Sequence, residues 1–280
     1  MRLRARWHGC YVRAVEHETR LAGGRATEGV ARSGETVRRA TGPWTPTVHA
    51  YLRHLDDRGF AGAPRVLGLD PDGREVLTFI DGVVPSSSAW ERGHATRLPD
   101  DALSDHTLVE VGRLIRSLHE AAADFEPSDA VWREHAYPLL PGEVVCHGDL
   151  GPHNTVYCNG TPVAFIDWDG ARPNEPLLEF GHAAWWYVPL ADDSYCVEMG
   201  FGSPPDRRRR LRIFADAYGA DRAEVIDVVR RAKVREAERA RYWVGLNARA
   251  AAAFFGHIAR ELDWLAAHEN ELRHAVDESR

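Results

Sequence analysis

Residues 147–154 have the sequence HGDLGPHN, and Asp167 follows thirteen positions after the final asparagine, within the sequence IDWD (residues 166–169). A short apolar strand, Val144–Cys146, is predicted before this loop. A hairpin is predicted after it, with strands over Thr155–Cys158 and residues 163–166 joined by an Asn-Gly turn. The hairpin returns the chain to the loop, so we expect Asp167 to face the loop's polar residues.

This arrangement of oxygen-bearing side chains suits the transfer of a phosphoryl group. The reaction requires an oriented hydroxyl, a group that accepts its proton, and cations on the phosphate oxygens. Asp149 can accept the proton, while Asn154 and Asp167 can hold Mg²⁺, which prefers oxygen ligands. The competing interpretation is a turn-rich hairpin with surface carboxylates, and the ordered spacing of the three residues argues against it.

The loop from His147 to Asn154, together with Asp167, resembles the HGDxxxxN…D signature of the aminoglycoside phosphotransferases and their antibiotic- and choline-kinase relatives. The resemblance extends over most of the chain, although beyond about residue 190 it concerns only a generic helical region. It implies an α+β, two-lobed protein-kinase-like fold. A small antiparallel-sheet N-lobe would occupy residues 1–82, and a larger helical C-lobe would occupy residues 83–280.

Carried over residue by residue, the resemblance implies the same roles for the base and the two metal ligands, with ATP and Mg²⁺ as cofactors and GTP not excluded. His147 is expected to support the loop structurally. Glu179, where the family more often has aspartate, is expected to support the catalytic loop as well. Two roles remain open for Asp169, namely a second metal contact and a capping or hairpin role.

The predicted nucleotide site departs from the family. In kinase-like folds a strand lysine contacts the phosphates and a helix glutamate positions it. The single lysine, Lys233, lies far along the helical part, whereas the predicted strand Thr36–Arg39 offers Arg38 and Arg39. Alignment with the family favours Arg38, and a guanidinium can bind phosphate oxygens bidentately. His49 stands where the helix glutamate is expected, so a carboxylate elsewhere is the alternative partner.

Two further segments are assigned to the nucleotide by their position. Gly23 and Gly24 precede the first predicted strand and would let the backbone cover the phosphates, with an ordinary turn as the alternative. Residues 78–82 would connect the lobes, and the backbone around Phe79 and Ile80 would bind the adenine. A core position remains the alternative for Phe79.

Local patterns support this division of the chain. The first part favours short strands, at residues 28–32, 36–39, 65–69 and 75–80. One helix, over residues 45–58, is predicted between the second and third of them. An amphipathic helix over residues 104–123 begins the second part, and long helices are predicted near residues 221–243 and 246–275. The aromatic run at residues 185–187 is predicted to be core, with a lining for a substrate cleft as the alternative.

Composition excludes several classes of protein. No apolar stretch of the 280 residues reaches the roughly 18 needed for a membrane span, and no secretory signal is expected. The four cysteines lack CxxC spacing, which favours reduced thiols and a cytoplasmic location. The one dense basic run, residues 207–210, lacks interleaved aromatics; it is expected to face solvent, and no nucleic-acid partner is expected.

Charge is distributed unevenly along the chain. Residues 1–52 carry nine arginines against four glutamates, whereas residues 53–189 carry ten arginines against 22 carboxylates. An anionic cofactor beside metal ions, or a cationic substrate, would suit this pattern. A solvated acidic surface is the alternative.

The predicted function is therefore transfer of the ATP γ-phosphate to a hydroxyl of a small molecule, with an antibiotic of aminoglycoside or peptide type implied by the resemblance. A metabolic kinase for an amino alcohol or sugar alcohol is one alternative. Another is a nucleotide-binding immunity or regulatory protein with little catalysis, which the replaced lysine and glutamate favour. The intact Asp149, Asn154 and Asp167 oppose it. The oligomeric state is left open.

Overall fold

The computed structural model describes residues 18–21, 29–85, 97–134, 138–244 and 248–277. Its first part is an antiparallel sheet with one helix, α1 (Thr45–Asp57). The strands are β1 (Thr19–Arg20), β2 (Ala31–Ser33), β3 (Thr36–Arg39), β4 (Val66–Leu69) and β5 (Glu75–Thr78). Their order across the sheet is β1-β2-β3-β5-β4. The predicted strands and helix are present within a few residues of their expected bounds, and β1 is additional.

Helix α1 connects this sheet to the rest of the molecule. A proline in its first turn suits a helix start, where a missing N–H costs nothing. Its apolar positions recur at helical spacing, so Tyr51, Leu52 and Leu55 are all buried. The Tyr51 hydroxyl donates a hydrogen bond to the main-chain oxygen of Val145, beyond the first part of the chain.

The second part is mostly helical, with two small antiparallel strand pairs, β6 with β9 and β7 with β8. These strands are β6 (Val144–Cys146), β7 (Thr155–Cys158), β8 (Thr161–Phe165) and β9 (Arg172–Asn174). The helices are α2 (Asp105–Ala122), α3 (Pro176–Tyr187), α4 (Asp193–Glu198), α5 (Arg207–Tyr218), α6 (Val225–Val244) and α7 (Ala248–Asp277). The predicted hairpin and long helices are therefore confirmed, and the chain has an α+β fold.

One apolar core runs through both parts. Ser104 caps α2 by accepting a hydrogen bond from the Thr107 N–H. The apolar stripe of α2, including Val111 and Ile115, is fully buried in the same cluster as Leu77 of β5. This shared core fixes the sheet and α1 against the helices, and it places the loop after β6 at their junction.

The connection between the two parts begins where β5 ends at Thr78. Val83 and Tyr157 of β7 exchange two main-chain hydrogen bonds of 2.8 Å, which tie the connection to the second part. The division at residue 82 remains a prediction. No helix of the described ranges combines the length and apolar character needed to cross a lipid bilayer.

The basic run at the start of α5 has a structural role that its sequence did not indicate. Arg210 is buried and donates hydrogen bonds to the main-chain oxygens of Leu103 and Tyr187. Arg207 donates to the oxygens of Pro189 and Ala191. The expectation that the whole run faces solvent is therefore wrong, because Arg207 and Arg210 donate to main-chain oxygens of the surrounding chain.

Candidate active site

The loop between β6 and β7 carries the first two predicted site residues. The Asn154 side chain, which is buried, donates through Nδ2 to the main-chain oxygen of Asp149 at 2.9 Å and to its Oδ2 at 3.0 Å. These bonds fix the carboxylate of Asp149. Because the amide nitrogen is committed to Asp149, the amide oxygen of Asn154 is the atom suited to a cation.

Asp167 follows β8 with a left-handed backbone, at φ 63° and ψ 60°. Such a conformation costs a non-glycine residue about 1–2 kcal/mol, and strained residues cluster at functional sites. The preceding Ile166 N–H donates to the Asn154 main-chain oxygen at 2.9 Å, so the two predicted metal ligands are held side by side. The carboxylate of Asp167 is half-exposed, as a ligand for an incoming cation must be.

His147 forms hydrogen bonds both to its own loop and to the segment that carries Asp167. Its Nε2 hydrogen-bonds to the main-chain oxygen of Ile166 at 2.9 Å, and its Nδ1 accepts the N–H of Asp149 at 3.3 Å. Burial is the main influence on the ring and lowers the pKa of His147 below its ordinary value. A neutral ring with its proton on Nε2 satisfies both bonds.

Glu179 of α3 supports the loop from beneath. Its carboxylate accepts the N–H groups of His147 at 3.2 Å and Gly148 at 2.6 Å, and it pairs with His119 Nε2 at 2.9 Å. Burial opposes its charge, but the bonds from His119 and the loop outweigh burial and lower the pKa of Glu179 to about 2. The charged form is therefore part of the folded structure.

We expect the contribution of Glu179 to stability to disappear in acid. Because its pKa falls from 4.5 in the unfolded chain to about 2, the stabilisation, of order 3 kcal/mol, is complete above pH 4.5. It is lost as the pH falls towards 2. Urea denaturation of wild type and Glu179→Gln at several pH values checks this, since the difference in free energy of unfolding should shrink between pH 4.5 and 2. A difference independent of pH would contradict it.

Gly148 is required at the turn into the loop. It has a φ of 85°, and a Cβ at this position would lie 2.0 Å from the main-chain oxygen of Gly170. Its own main-chain oxygen accepts hydrogen bonds from Arg239 of α6 at 2.8 Å and Arg172 at 3.2 Å. Glu134 pairs with both arginines. The sequence did not predict these contacts to the loop, because Glu134, Arg172 and Arg239 are far apart along the chain and belong to no motif.

The surroundings of Asp149 keep its carboxylate charged. Partial burial opposes the charge, but His153, whose Nε2 lies 3.6 Å from Oδ2, and the more distant Arg239 and His182 outweigh it. The pKa of Asp149 consequently lies well below its ordinary value. The ring of Trp186 packs edge-on against His153 at 5.4 Å between centroids.

The two candidate arginines of β3 point to different neighbours. Arg39 is buried, and its Nη1 donates to Asp167 Oδ1 at 3.2 Å. Arg38 instead pairs with Glu18 at 2.9 Å, because successive strand residues face opposite sides of a sheet. The preference for Arg38 is therefore wrong as to which arginine faces the predicted metal ligands. That residue is Arg39.

Asp169 is held by arginines. Its Oδ2 lies 2.5 Å from Arg39 Nη2 and 3.1 Å from Arg133 Nη1, and its side chain is buried. The carboxylate thus pairs with two guanidinium groups, which is neither the predicted metal contact nor the predicted capping or hairpin role. His49 contacts Glu75 of β5 rather than an arginine, at 2.8 Å. Glu75 is a site residue that the sequence interpretation did not name.

The remaining nucleotide assignments are only partly described. Gly23 and Gly24 lie outside the described residues. Phe79 is half-buried beneath the Arg32 guanidinium, which lies 3.7 Å from the ring centroid, so it is not a core residue. The Phe79 N–H already donates to the Glu35 oxygen at 2.8 Å. Ile80, half-buried beside it, remains a predicted adenine contact.

The aromatic run of α3 divides between core and site. Trp185 and Tyr187 are buried, as predicted, whereas Trp186 packs against His153 and against the apolar cluster that includes Tyr195 of α4. The sequence could not show which of the three aromatic residues would lie outside the core, because all three are apolar and adjacent.

A small cleft of about 50 Å³ lies beside this cluster, between α4 and α7. Its polar lining includes Asp192, Glu198, His257, Arg260 and Glu261. Asp192 also caps α4 by accepting the Tyr195 N–H. The cleft is thus more acidic than basic.

Two sequence comparisons show what this chain is similar to. Residues 120–228 match the model of the phosphotransferase enzyme family. The trifolitoxin immunity protein of Rhizobium leguminosarum bv. trifolii is 37% identical over 207 residues, which cover 72% of this chain and 74% of that protein.

Solved structures share the fold. The choline/ethanolamine kinase family protein from Mesorhizobium loti superposes with a TM-score of 0.58 at 18% identity, over 95% of this chain and 94% of that one. The gentamicin complex of APH(2")-IIa gives a TM-score of 0.50 at 12% identity, over 88% and 91% of the two chains. The predicted two-lobed, protein-kinase-like α+β fold is confirmed.

Proposed function

The chain belongs to the phosphotransferase enzyme family, and we propose that it moves the γ-phosphate of ATP to a hydroxyl of a small molecule. The observation that carries the proposal is the joint placement of Asp149, Asn154 and Asp167. Hydrogen bonds of 2.9–3.0 Å connect Asn154 to Asp149 on one side and to the residue before Asp167 on the other. Three groups suited to one reaction are thereby held as a unit.

The donor chemistry at this unit fits Mg²⁺. Asn154 offers an amide oxygen and Asp167 a half-exposed carboxylate, and hard oxygen ligands of this kind suit the ion. When bound, Mg²⁺ would neutralise charge on the phosphate oxygens. Asn154 and Asp167 would hold it at the junction of the two parts of the chain.

Asp149 would orient the acceptor hydroxyl and take its proton. Its lowered pKa keeps it ionised at neutral pH, and the Asn154 amide and the braced loop fix its direction. His153 lies beside this carboxylate and Trp186 packs against His153, so the two rings would shape the entry of the acceptor. Besides cations on the phosphate oxygens, phosphoryl transfer needs a positioned hydroxyl and a group that accepts its proton, and Asp149 would supply both.

Arg39 would contact the phosphates in place of the family's lysine. It lies beside Asp167, and its planar guanidinium offers several N–H donors, of which the one on Nη1 can bind a phosphate oxygen.

Substitution of Arg39 should separate phosphate binding from adenosine binding. Removing the whole side chain would take one cationic partner from each of the buried carboxylates Glu75 and Asp169, at about 3–5 kcal/mol. Arg39→Lys keeps the charge but loses the planar arrangement of separate N–H donors. We therefore expect the Kd for ATP to rise about tenfold, with little change in the Kd for adenosine. Arg38→Lys is the matched control and should bind both like wild type. Calorimetric titration measures this, and a larger effect at Arg38 would return the role to that residue.

We propose a toxin or antibiotic as the acceptor. The relative named for immunity to trifolitoxin supports this class. The acidic cleft beyond Trp186 supports a hydroxylated acceptor that also carries positive charge.

A second candidate is immunity without catalysis, through binding alone. The name of the same relative and the replaced lysine favour it. Cells that express wild type or Asp149→Asn, challenged with a panel of hydroxylated antibiotics, separate the two. Protection that requires Asp149 supports phosphoryl transfer, whereas equal protection by both proteins supports binding alone.

A further inference from the structure

Arg39 is held by a carboxylate from its own sheet. We propose that Glu75 and His49 form a positioning unit that orients Arg39 towards the nucleotide phosphates, and that this unit replaces the lysine–glutamate pair of kinase-like folds. The inference rests on the proposed function. It concerns two residues, one on β5 and one on α1, that contact neither predicted metal ligand.

Strand register brings Arg39 and Glu75 together. The two residues are directly opposite each other in the antiparallel β3–β5 pair, where facing side chains approach closely. Arg39 Nε lies 2.8 Å from Glu75 Oε1, and the residues are 7% and 3% exposed. The register of the sheet therefore sets this pair, whatever the position of α1.

His49 completes the unit from the helix. Its Nε2 lies 2.8 Å from Glu75 Oε2, so each carboxylate oxygen has its own partner. A buried carboxylate needs such complete pairing to offset its lost hydration. His49 thus connects α1 to the sheet at the position where the family's helix glutamate would act.

The consequence is a defined orientation for the guanidinium group. Its Nε edge is held by Glu75, while Nη1 lies 3.2 Å from Asp167 and Nη2 lies 2.5 Å from Asp169. A single ammonium nitrogen could not offer three separate donors in one plane.

One of these three carboxylates is suited to exchange for phosphate. Glu75 and Asp169 are buried, and Asp169 also pairs with Arg133, whereas Asp167 is half-exposed. Nη1 can therefore turn from Asp167 to a phosphate oxygen while Nε and Nη2 keep their partners. The positioning unit therefore does more than neutralise the charge of Arg39. It also orients the side chain so that Nη1 can bind a phosphate anion.

Calorimetric titration with ATP and with adenosine, in Mg²⁺, tests the proposal. Glu75→Gln removes the charge from a buried ion pair of Arg39, so the Kd for ATP should rise about tenfold or more and that for adenosine should stay within about twofold. Asp72→Asn, an exposed charge loss in the same β4–β5 hairpin, is the matched control and should bind like wild type. His49→Leu should lose part of the affinity for ATP. His49→Gln, which keeps a hydrogen-bond donor, should bind ATP more tightly than His49→Leu.

These measurements distinguish a failure of the positioning unit from a failure of the proposed phosphotransferase function. If wild type binds ATP and neither Glu75→Gln nor His49→Leu weakens ATP relative to adenosine, the positioning unit is contradicted while the proposed function stands. Equal losses for ATP and adenosine would show a merely structural role and would also overturn the inference. If Glu75→Gln fails to fold, the contrast between His49→Leu and His49→Gln decides. Failure of wild type itself to bind Mg-ATP would contradict the proposed function.

Discussion

Replacing Asp149 by asparagine should lower turnover by about 10² or more while Mg-ATP affinity stays close to that of wild type. The carboxylate is the predicted proton acceptor, and asparagine has nearly the same shape but cannot take the proton. The hydrogen bond from Asn154 to the main-chain oxygen of residue 149 is unaffected, so the loop should keep its form. Steady-state rates and calorimetric titration, measured on the same preparations, check the two halves of the expectation.

A matched control lies elsewhere in the same fold. Asp72 is an exposed carboxylate in the β4–β5 turn, and Asp72→Asn should leave turnover unchanged. Near-wild-type turnover of Asp149→Asn would remove the base role from Asp149. Loss of ATP affinity together with turnover would instead assign Asp149 to binding.

Replacing Asp167 should abolish the dependence of nucleotide binding on Mg²⁺. Its carboxylate is the one charged ligand of the predicted pair, and the amide of Asn154 alone would hold the ion weakly. The left-handed backbone at Asp167 selects the variant, because asparagine tolerates this region better than alanine does. For Asp167→Asn we expect the Kd for ATP in Mg²⁺ to rise about 100-fold, to the value that wild type shows in EDTA.

The magnitude follows from replacing the one charged ligand of the predicted pair by a neutral amide oxygen, which binds Mg²⁺ much more weakly than a carboxylate does. Calorimetry at equal ionic strength, with and without Mg²⁺, measures it for both proteins. A variant that binds Mg-ATP as tightly as wild type would show that the cation is held elsewhere.

The residues that could be predicted were those set by local sequence. Asp149 and Asn154 share one loop, and Asp167 is returned to it by a hairpin with an Asn-Gly turn, so spacing along the chain determines their placement. The helices α1 and α2 were likewise evident from their apolar periodicity. Short-range geometry leaves few alternatives in such segments.

The contacts that could not be predicted depend on how distant segments meet. Alternation along β3 requires that Arg38 and Arg39 face opposite sides, but the sequence does not say which side is the cleft. Glu75 faces Arg39 only because β3 and β5, separated by α1 and β4, pair in one register. The support of Gly148 by Arg239 joins residues 91 positions apart and likewise follows from packing alone.

The most direct test of phosphoryl transfer measures ADP formation by wild type in Mg-ATP. The reaction is run without acceptor and with aminoglycosides, amino alcohols and hydroxylated peptides, with Asp149→Asn run in parallel. We expect at least one acceptor class to stimulate ADP formation by wild type. That acceptor should gain one phosphoryl group by mass with wild type and stay unmodified with the variant. ATP binding with ADP formation no greater than that of Asp149→Asn across all three classes would contradict catalysis and favour immunity through binding alone.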